Sequence, residues 1–312
     1  MYSLIIPVYK NESNIKDLLI VLRKIHSVLD DTLEVVFVVD SSPDDSYNIL
    51  KKLLIKEPYV SQLILLSKNF GSFMAIRTGI QKSRGDYFAV MAADLQEPFE
   101  LIISFFKILI KGSYDILIGT REKREDPFFS KISSNIFWYL YKKFIIKDMP
   151  KGGIDIFACN KLFRSHLLEL KESHSSLIAQ IFWLGFRRKE IPYTRLERKK
   201  GVSSWTFSKK LNYMMDSIFS FTDLPIKILT KIGLIGTVVF GILGMIVFIS
   251  KIMGIVTLEG YTSTFLSIGF FGTLNLYAIS IVGMYTWRIY ENTKNRPLSI
   301  ILRSDFFDGR DA

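Results

Sequence analysis

Short apolar runs alternate with helical patterns along the first 120 residues of the chain. The runs that predict strands are Ser3–Val8, Leu33–Val39, Val60–Leu66, Tyr87–Ala92 and Ile116–Gly119. Between them, apolar residues recur at helical spacing over Asn14–Leu29, Ser46–Lys56 and Phe73–Lys82. This order predicts an α/β domain with a mostly parallel sheet, in which ligands bind beyond the carboxyl ends of the strands.

A different pattern begins near residue 206. An apolar face at helical spacing predicts an amphipathic helix over residues 208–227, lying at a membrane interface. Two uncharged runs follow, Ile232–Ser250 with 19 residues and Gly260–Trp287 with 28, and each is long enough to span a bilayer as a helix. We therefore expect an α/β domain over residues 1–207, a two-helix transmembrane hairpin over residues 228–288 and a tail over residues 289–312.

Basic residues flank the two apolar runs on one side only. Lys227 and Lys231 precede the first run, Arg288 and Lys294 follow the second, and the connecting loop carries only Lys251 and Glu259. The positive-inside rule then places the α/β domain and both termini in the cytoplasm. No charged residue lies within either run, which argues against a channel or a pump. Glycines in both runs favour close helix packing, and with it a homo-oligomer.

Composition adds two constraints on the chemistry. Because the chain has one cysteine and three histidines, we expect neither thiol catalysis nor a histidine-rich metal site. The formal net charge of +11 comes from residues 121–210, which hold 20 basic and 9 acidic side chains. This stretch predicts either a surface attracted to anionic lipid or a pocket for phosphate groups at the membrane.

Acidic side chains follow three of the predicted strands. Glu12 follows the first strand, Asp40 the second, and Asp94 with Gln96 the fourth. Each alone also fits a turn-capping residue, but carboxylates that meet at one sheet edge repel one another unless a cation or hydrogen-bond donors are present. Their combination favours a site for a divalent metal and a nucleotide, and such oxygen ligands suit Mg²⁺ or Mn²⁺.

Taken in order, these motifs resemble the family 2 inverting glycosyltransferases, specifically the membrane-anchored branch that transfers sugar to polyprenyl phosphate. The segments that carry the resemblance cover nearly the whole chain: Ile6-Pro-Val-Tyr-Lys-Asn-Glu12, Val39-Asp-Ser-Ser-Pro-Asp44, Lys68-Asn-Phe-Gly71, Ala93-Asp-Leu-Gln-Glu-Pro98, Gly119-Thr-Arg-Glu-Lys-Arg124, Gly152-Gly-Ile-Asp155, Arg198-Lys-Lys-Gly-Val-Ser-Ser-Trp205 and Asn292-Thr-Lys-Asn-Arg-Pro-Leu298. The resemblance implies the GT-A fold, a Rossmann-like, mostly parallel sheet.

The resemblance also implies roles for residues that bind the donor. Asp94 and Gln96 would hold the metal that bridges the donor diphosphate, and Arg198 and Ser203 would belong to a loop that closes over it. The remaining residues implied to bind the nucleotide sugar are Pro7, Tyr9, Glu12, Asp40 and Lys68. The chain departs from the family by having Val39-Asp40-Ser41 in place of Asp-Asp-Gly, and Ala92 in place of the first Asp of Asp-Ala-Asp. Trp205 in the loop is equally typical of an interfacial anchor.

Three further residues are candidates for catalysis beside Asp94. Arg121 and Arg124 follow a strand end and could donate to the acceptor phosphate, or be solvated surface arginines. Asp155 lies in a glycine-rich turn, where the resemblance implies a base or an orienting group for the acceptor. Its alternative role is to cap a helix over Lys161–Leu170.

The resemblance thus implies a metal-dependent, inverting transfer of sugar from a nucleotide diphosphate, UDP-glucose or a related UDP-sugar, to undecaprenyl phosphate. The product would serve the modification of cell-surface glycans such as the O-antigen of lipopolysaccharide. We expect a bacterial inner-membrane enzyme that contacts membrane lipid and no nucleic acid. The alternatives are a family 2 transferase that extends a polysaccharide and a catalytically weakened scaffold that binds nucleotide sugars.

Overall fold

The computed structural model describes residues 1–29, 32–121, 142, 150, 154, 156–172, 175–196, 215–222, 224–253 and 260–309. The chain divides into two compact units. The first comprises Met1–Tyr213 and Arg296–Ala312, and the second comprises Met214–Asn295.

The first unit contains an eight-stranded sheet with helices between its strands. The strands are β1 (Tyr2–Val8), β2 (Leu33–Val39), β3 (Val60–Leu66), β4 (Tyr87–Val90), β5 (Ile116–Arg121), β6 (Phe157–Asn160), β7 (Arg188–Tyr193) and β8 (Ile301–Phe307). The helices are α1 (Ile15–Leu29), α2 (Ser46–Leu54), α3 (Ser72–Lys82), α4 (Phe99–Ile110), α5 (Lys161–Glu169) and α6 (Leu177–Trp183). The five strands and three helices predicted for the first 120 residues are confirmed.

The strand order in the sheet is β7-β5-β6-β4-β1-β2-β3-β8. The central strands β4, β1, β2 and β3 are parallel neighbours, and β5 pairs in parallel with β7. Only β6 and β8 run antiparallel to their neighbours. The predicted α/β class with a mostly parallel sheet is therefore confirmed.

Both faces of the sheet are buried, as parallel strands with helical connections require. Successive side chains of β1 alternate between the two faces: Leu4 and Ile6 pack in the cluster with α1 and α4, and Ile5 packs in the cluster with α3 and α5. All seven residues of β2 are buried and all but Glu34 are apolar, so the strand appears in the sequence as a nearly continuous apolar run. The core thus holds the strand ends at fixed positions.

The carboxyl-terminal strand β8 is an element that the sequence analysis placed in a separate tail. It pairs antiparallel with β3 and completes one edge of the sheet. Asp305 on β8 accepts a hydrogen bond from the Tyr47 hydroxyl (2.6 Å) and lies 3.2 Å from the Lys51 ammonium group. Residues 296–312 are therefore part of the first unit rather than a free tail.

The second unit contains two long helices, α7 (Leu224–Ile252) and α8 (Tyr261–Thr293). Residues 215–221 are also helical, which agrees with part of the helix predicted over 208–227, and they pack on α8: the Arg288 guanidinium donates to Asp216 Oδ1 (2.8 Å), and the rings of Phe219 and Tyr285 meet edge to face. Within the part of the chain that the structure describes, no helix combines the length and the hydropathy needed to cross a membrane. The transmembrane hairpin is therefore not confirmed.

Candidate active site

The turns after β1, β2, β3 and β4 lie side by side at one edge of the sheet, because these strands are parallel neighbours. Three residues in these turns have a positive φ although none is glycine: Lys10 (55°), Ser41 (48°) and Leu95 (56°). Left-handed backbone costs on the order of 1–3 kcal/mol at such residues, and this strain clusters at binding and catalytic sites. Ser41 has this left-handed conformation at the position where the Asp-Asp-Gly pattern of the resembled family has glycine.

Reciprocal hydrogen bonds join the turn after β1 to the turn after β2. The Glu12 backbone N–H donates to Asp44 Oδ2 (3.0 Å), and the Asp45 backbone N–H donates to Glu12 Oε2 (2.9 Å). The Lys10 backbone N–H donates to Ser42 Oγ (2.7 Å). Tyr9 lies half-buried beside this junction, with the Lys10 ammonium group 5.6 Å from its ring centre. Glu12 therefore shapes the loop, and its predicted contact with a nucleotide stays a prediction.

Asp40 fixes the loop that follows β3. Its side chain is 2% exposed, and its two oxygens accept hydrogen bonds from the backbone N–H groups of Phe70 (2.7 Å) and Gly71 (2.8 Å). Gly71 has a φ of 93° and begins the turn into α3. Burial raises the pKa of the Asp40 carboxyl, and the two backbone donors offset only part of that effect. Asp40 thus positions the Lys68–Gly71 loop, while its predicted contact with the donor stays a prediction.

The turn after β4 presents Asp94. The Met91 backbone N–H donates to the carbonyl oxygen of Ile5 (3.0 Å), which fixes the start of the turn against β1. The Ala92 backbone N–H donates to Glu97 Oε2 (3.3 Å), and Glu97 is 3% exposed. The buried Glu97 carboxylate therefore holds the turn closed. Asp94 lies half-buried in the turn, between the hydrogen bond of Met91 and that of Glu97.

Gln96 in the same turn is held by the segment that follows β7. Its Oε1 accepts a hydrogen bond from Arg195 Nη2 (2.5 Å), and its Nε2 donates to the carbonyl oxygen of Leu196 (3.3 Å). The Leu196 backbone N–H donates to the carbonyl oxygen of Gln96 (2.9 Å). Three hydrogen bonds therefore hold the segment just after β7 against Gln96, the residue that was predicted to bind a metal.

The oxygen donors of this turn can be tested for their fit to a divalent cation. The Asp94 carboxylate is the type of ligand that Mg²⁺ and Mn²⁺ prefer, and the Gln96 amide oxygen is another once Arg195 has moved away. Among the described residues, no three or more His, Cys, Asp and Glu side chains form a group that could hold a metal. The Asp94 carboxylate and the Gln96 amide oxygen would suit a divalent cation that takes its other ligands from diphosphate oxygens or water.

Arg121 lies at the same edge as Asp94. It is the last residue of β5 and is half-buried, and β5 is separated from β4 by β6 alone. Because Ala89 of β4 and Leu117 of β5 both pair with Ala158, the two strands are at the same level and both end toward this edge. Neighbouring strands are about 4.8 Å apart, so β5, which ends at Arg121, lies roughly 10 Å from β4.

Four of the predicted site residues, Arg124, Asp155, Arg198 and Ser203, lie outside the described residues. The helix α5, for which Asp155 was considered as an alternative cap, is capped by Asn160, which accepts a hydrogen bond from the Phe163 backbone N–H (2.9 Å). The sequence analysis missed Arg195. The signal that would have found it is its place just after a strand, but β7 has the sequence Arg-Lys-Glu-Ile-Pro-Tyr, which lacks an apolar run.

Comparison with known proteins gives a family match. Residues 3–170 match the family Glycosyl transferase family 2. CsbB of Bacillus subtilis (strain 168), which is named as a glycosyltransferase, is 31% identical over 301 residues, or 96% of this chain and 91% of that protein. The SfII prophage-derived bactoprenol glucosyl transferase of Shigella flexneri is 27% identical over 302 residues, or 97% of each chain.

Among solved structures, the mannosyltransferase PcManGT of Pyrobaculum calidifontis, in complex with GDP-Man and Mn²⁺, is similar to this chain. The identity is 16%, the TM-score is 0.47, and the match covers 92% of this chain and 87% of that one.

Proposed function

Because the chain belongs to glycosyl transferase family 2 and is a glycosyltransferase, we propose that it transfers a sugar, with inversion, from a nucleotide diphosphate to polyprenyl phosphate. The observation that carries the proposal is the match to bactoprenol glucosyl transferases along 97% of this chain. The proposed donor is UDP-glucose or a related UDP-sugar, and the proposed acceptor is undecaprenyl phosphate. The product would be a polyprenyl-phosphate-linked monosaccharide for cell-surface glycans such as O-antigen.

In the proposed reaction, an oxygen of the acceptor phosphate forms a bond to the anomeric carbon while the bond from that carbon to the donor diphosphate breaks. The electron pair leaves with the nucleoside diphosphate. The acceptor is a phosphate monoester with a second pKa of ~6, so it is largely dianionic at neutral pH and needs little help from a base. Positioning of the two substrates then supplies most of the catalysis.

The proposed role of Asp94 and Gln96 is to hold Mg²⁺ or Mn²⁺, which would neutralise the charge that develops on the departing diphosphate. The half-buried position of Asp94 supports this role, because an oxygen ligand there faces a partly desolvated site in which charges interact more strongly than in water. The Lys68–Gly71 loop, fixed by Asp40, lies one strand beyond β2 and would border the nucleotide.

The proposed acceptor phosphate binds on the other side of Asp94, where Arg121 ends β5. Charge supports this placement, since the excess of positive charge lies in residues 121–210. An arginine donates two parallel hydrogen bonds to a phosphate, so Arg121 could both attract and orient the acceptor. Arg124 and Asp155 remain proposed as further groups that orient the acceptor.

We further propose that the protein resides in the bacterial inner membrane, with the catalytic unit and both termini in the cytoplasm. The uncharged runs Ile232–Ser250 and Gly260–Trp287 and the flanking basic residues support this location. Many large apolar side chains of the second unit are exposed, including Leu234 (65%), Met245 (66%) and Ile268 (69%). An exposed apolar surface of that extent is typical of a segment that lies against lipid.

The reaction is tested with the purified full-length protein, UDP-glucose, Mn²⁺ and undecaprenyl phosphate, by following the release of UDP and the formation of glycosylated lipid. We expect UDP release to require the lipid phosphate. EDTA and Asp94→Asn should each reduce the rate by a factor on the order of 100 or more, since several kcal/mol of charge stabilisation are lost. Release of UDP without lipid, or transfer to a polysaccharide only, would contradict the proposed acceptor.

The acceptor site is tested with Arg121→Ala. Loss of a charge-assisted hydrogen bond to phosphate costs about 1.5–3 kcal/mol, so the acceptor KM should rise, or kcat fall, by roughly ten- to a hundredfold while the donor KM stays unchanged. Lys142→Ala, within the same basic stretch, serves as the matched control and should have little effect. Equal small effects of both variants would leave the basic stretch as a lipid-facing surface.

The orientation is tested by labelling single cysteines from the periplasmic side of intact cells. We expect Thr257→Cys to react and Ser304→Cys to be protected. The natural Cys159 is fully buried, so it adds little background. The reverse labelling pattern would separate the active site from cytoplasmic nucleotide sugars and contradict the proposed location.

A further inference from the structure

Arg195 lies at the position where the proposed function needs a metal. Its Nη2 is 2.5 Å from Oε1 of Gln96, which is a short hydrogen bond to the one oxygen that this side chain can offer a cation. Gln96 is 8% exposed, so it meets this guanidinium in a largely buried place. The Gln96 amide nitrogen is directed to the carbonyl oxygen of Leu196, and this contact fixes the orientation of the amide group.

A metal and Arg195 compete for this oxygen for two physical reasons. A Mg²⁺ ion binds its oxygen ligands at about 2.1 Å, and that distance leaves no room for a guanidinium nitrogen on the same side of the oxygen. A divalent cation also repels the positive charge of arginine in a partly desolvated site. Coordination on that side of the Gln96 oxygen therefore displaces Arg195.

We propose that Arg195 is the resident cation of the donor-free enzyme, and that it holds Gln96 until the metal displaces it. This inference rests on the proposed function, because it takes the metal site of that function as given. Arg195 then acts as a positioning residue: when the metal is absent, it holds the Gln96 side chain and with it the turn after β4. The observed affinity for the metal is therefore lower than the affinity that the site would have if Arg195 did not occupy the Gln96 oxygen.

The displacement has a consequence along the chain. Turning the Gln96 oxygen toward a metal breaks both side-chain bonds, the one from Arg195 and the one to Leu196, while the backbone hydrogen bond from Leu196 to Gln96 can persist. Metal binding therefore releases the side-chain contacts that hold Arg195 and Leu196, just after β7, to the turn after β4.

The experiment measures Mn²⁺ binding to the full-length protein without donor, from the electron paramagnetic resonance signal of free Mn²⁺. Removing a competing hydrogen bond worth about 1 kcal/mol should tighten binding about five- to tenfold in Arg195→Ala and Arg195→Gln. Arg195→Lys keeps the positive charge and should stay within about twofold of the wild type. Arg303→Ala, an exposed arginine on β8, is the control for net charge and should not change the affinity. Thermal unfolding confirms that each variant is folded.

The outcomes separate this inference from the proposed function. If Asp94→Asn weakens Mn²⁺ binding but the Arg195→Ala and Arg195→Gln variants bind as the wild type does, the metal site stands and Arg195 is only a structural link. If those variants bind more weakly than the wild type, Arg195 supports the site rather than competing for it, and the inference is overturned. If neither the wild type nor any variant binds Mn²⁺, even with UDP-glucose present, the metal of the proposed function fails as well.

Discussion

The two ends of β2 carry buried carboxylates in contrasting environments. Glu34, near the start of the strand, is fully buried and accepts hydrogen bonds from the Ser3 hydroxyl (2.7 Å), the Gln62 amide (2.8 Å) and the backbone N–H (2.8 Å) and Nε (2.9 Å) of Arg84. Asp40, just after the strand, accepts hydrogen bonds from two backbone N–H groups, and within the described part of the chain it forms no salt bridge. Among these residues, one sheet thus holds one buried carboxylate with a salt bridge and one without.

The pKa values of the two groups shift in opposite directions. Burial alone would raise the pKa of Glu34, but its four donors, which include the charged Arg84 side chain, outweigh burial and lower it. At Asp40 burial is also the largest effect, the two backbone donors do not offset it, and the pKa is raised. The amino end of the sheet therefore stabilises its charge, whereas the carboxyl end holds a charge at a cost.

Backbone strain follows the same division. Among the described residues of the first unit, the non-glycine residues with positive φ are Lys10, Ser41 and Leu95, and all three lie at the carboxyl end of the sheet. The carboxyl end of the sheet thus has a strained backbone and a charge that is only partly compensated, whereas the charge at the amino end is fully paired. This division is expected if the amino end maintains the fold and the carboxyl end binds ligands.

The largest test of this comparison is Glu34→Ala. Four donors would lose their acceptor, and Arg84, with half of its side chain exposed, would recover only part of its hydration. We expect the unfolding free energy to fall by about 3 kcal/mol. Urea unfolding of the full-length protein measures this, and Glu34→Gln, which keeps one acceptor oxygen, should lose less. The donor KM of the folded fraction should not change, and a change there would break the division between the two ends.

Asp40→Ala tests the other end. The backbone N–H groups of Phe70 and Gly71 lose their acceptor at the edge of the site, where water can replace it in part, so the stability loss should be about 1 kcal/mol. The loop over Lys68–Gly71 would lose its anchor, and we expect the donor KM to rise roughly tenfold. Steady-state kinetics with UDP-glucose measures this. An unchanged donor KM together with a large stability loss would make Asp40 equivalent to Glu34.

The sequence was sufficient for the part of the sheet that is built from apolar runs. Strands β1 to β5 were predicted because parallel strands buried on both faces need continuous apolar side chains. Strands β7 and β8 were missed because they lie at the edges of the sheet, where polar residues such as Lys189 and Asp305 are tolerated. Pairing of β8 with β3 also joins segments more than 230 residues apart, and no local pattern encodes such a pairing.

Sequence patterns pointed to polar residues at strand ends but not to the groups that contact them. Asp40 and Gln96 follow apolar runs, and ligands bind beyond the carboxyl ends of parallel strands, so both were predicted as site residues, and their roles stay predictions. Their partners are Phe70, an unremarkable residue that contributes only its backbone N–H, and Arg195, which is 99 residues from Gln96. Neither has a local signal, because these contacts exist only once the sheet has brought the turns together.

The dependence of stability on pH sharpens the comparison further. Since the pKa of Asp40 is raised in the folded state, the folded protein binds more protons there than the unfolded chain, and this group lowers stability as the pH rises above 3.8 toward its folded pKa. Glu34 acts in the opposite sense: its contribution is present above 4.5 and is lost as the pH falls through its lowered folded pKa.

We therefore expect Asp40→Asn to make the unfolding free energy rise more steeply with pH above 3.8, and Glu34→Gln to make the rise more shallow below 4.5. A pH series of urea unfolding curves for the wild type and both variants measures the two slopes. If both variants changed the slope in the same direction, the two carboxylates would not be opposed in the way the structure indicates.

The smallest expected effect lies at the edge of the sheet, where β8 meets β3 and α2. The hydrogen bond from the Tyr47 hydroxyl is the largest cause of the lowered pKa of Asp305, and the pair with Lys51 adds little because it is exposed. Asp305→Ala should therefore lower the unfolding free energy by about 1 kcal/mol, with Ser304→Ala, an exposed neighbour, as the control.

The Ser67 backbone N–H donates to the carbonyl oxygen of Ile300 (2.9 Å) just before the Lys68–Gly71 loop, so the start of β8 also contacts the base of the donor side. If β8 only closes the sheet, the donor KM of Asp305→Ala should stay within about twofold of the wild type, since Asp40 still fixes that loop. A tenfold rise in the donor KM would instead mean that the sheet edge supports the loop as much as Asp40 does, and the division between a stabilising and a binding part of the sheet would have to include β8.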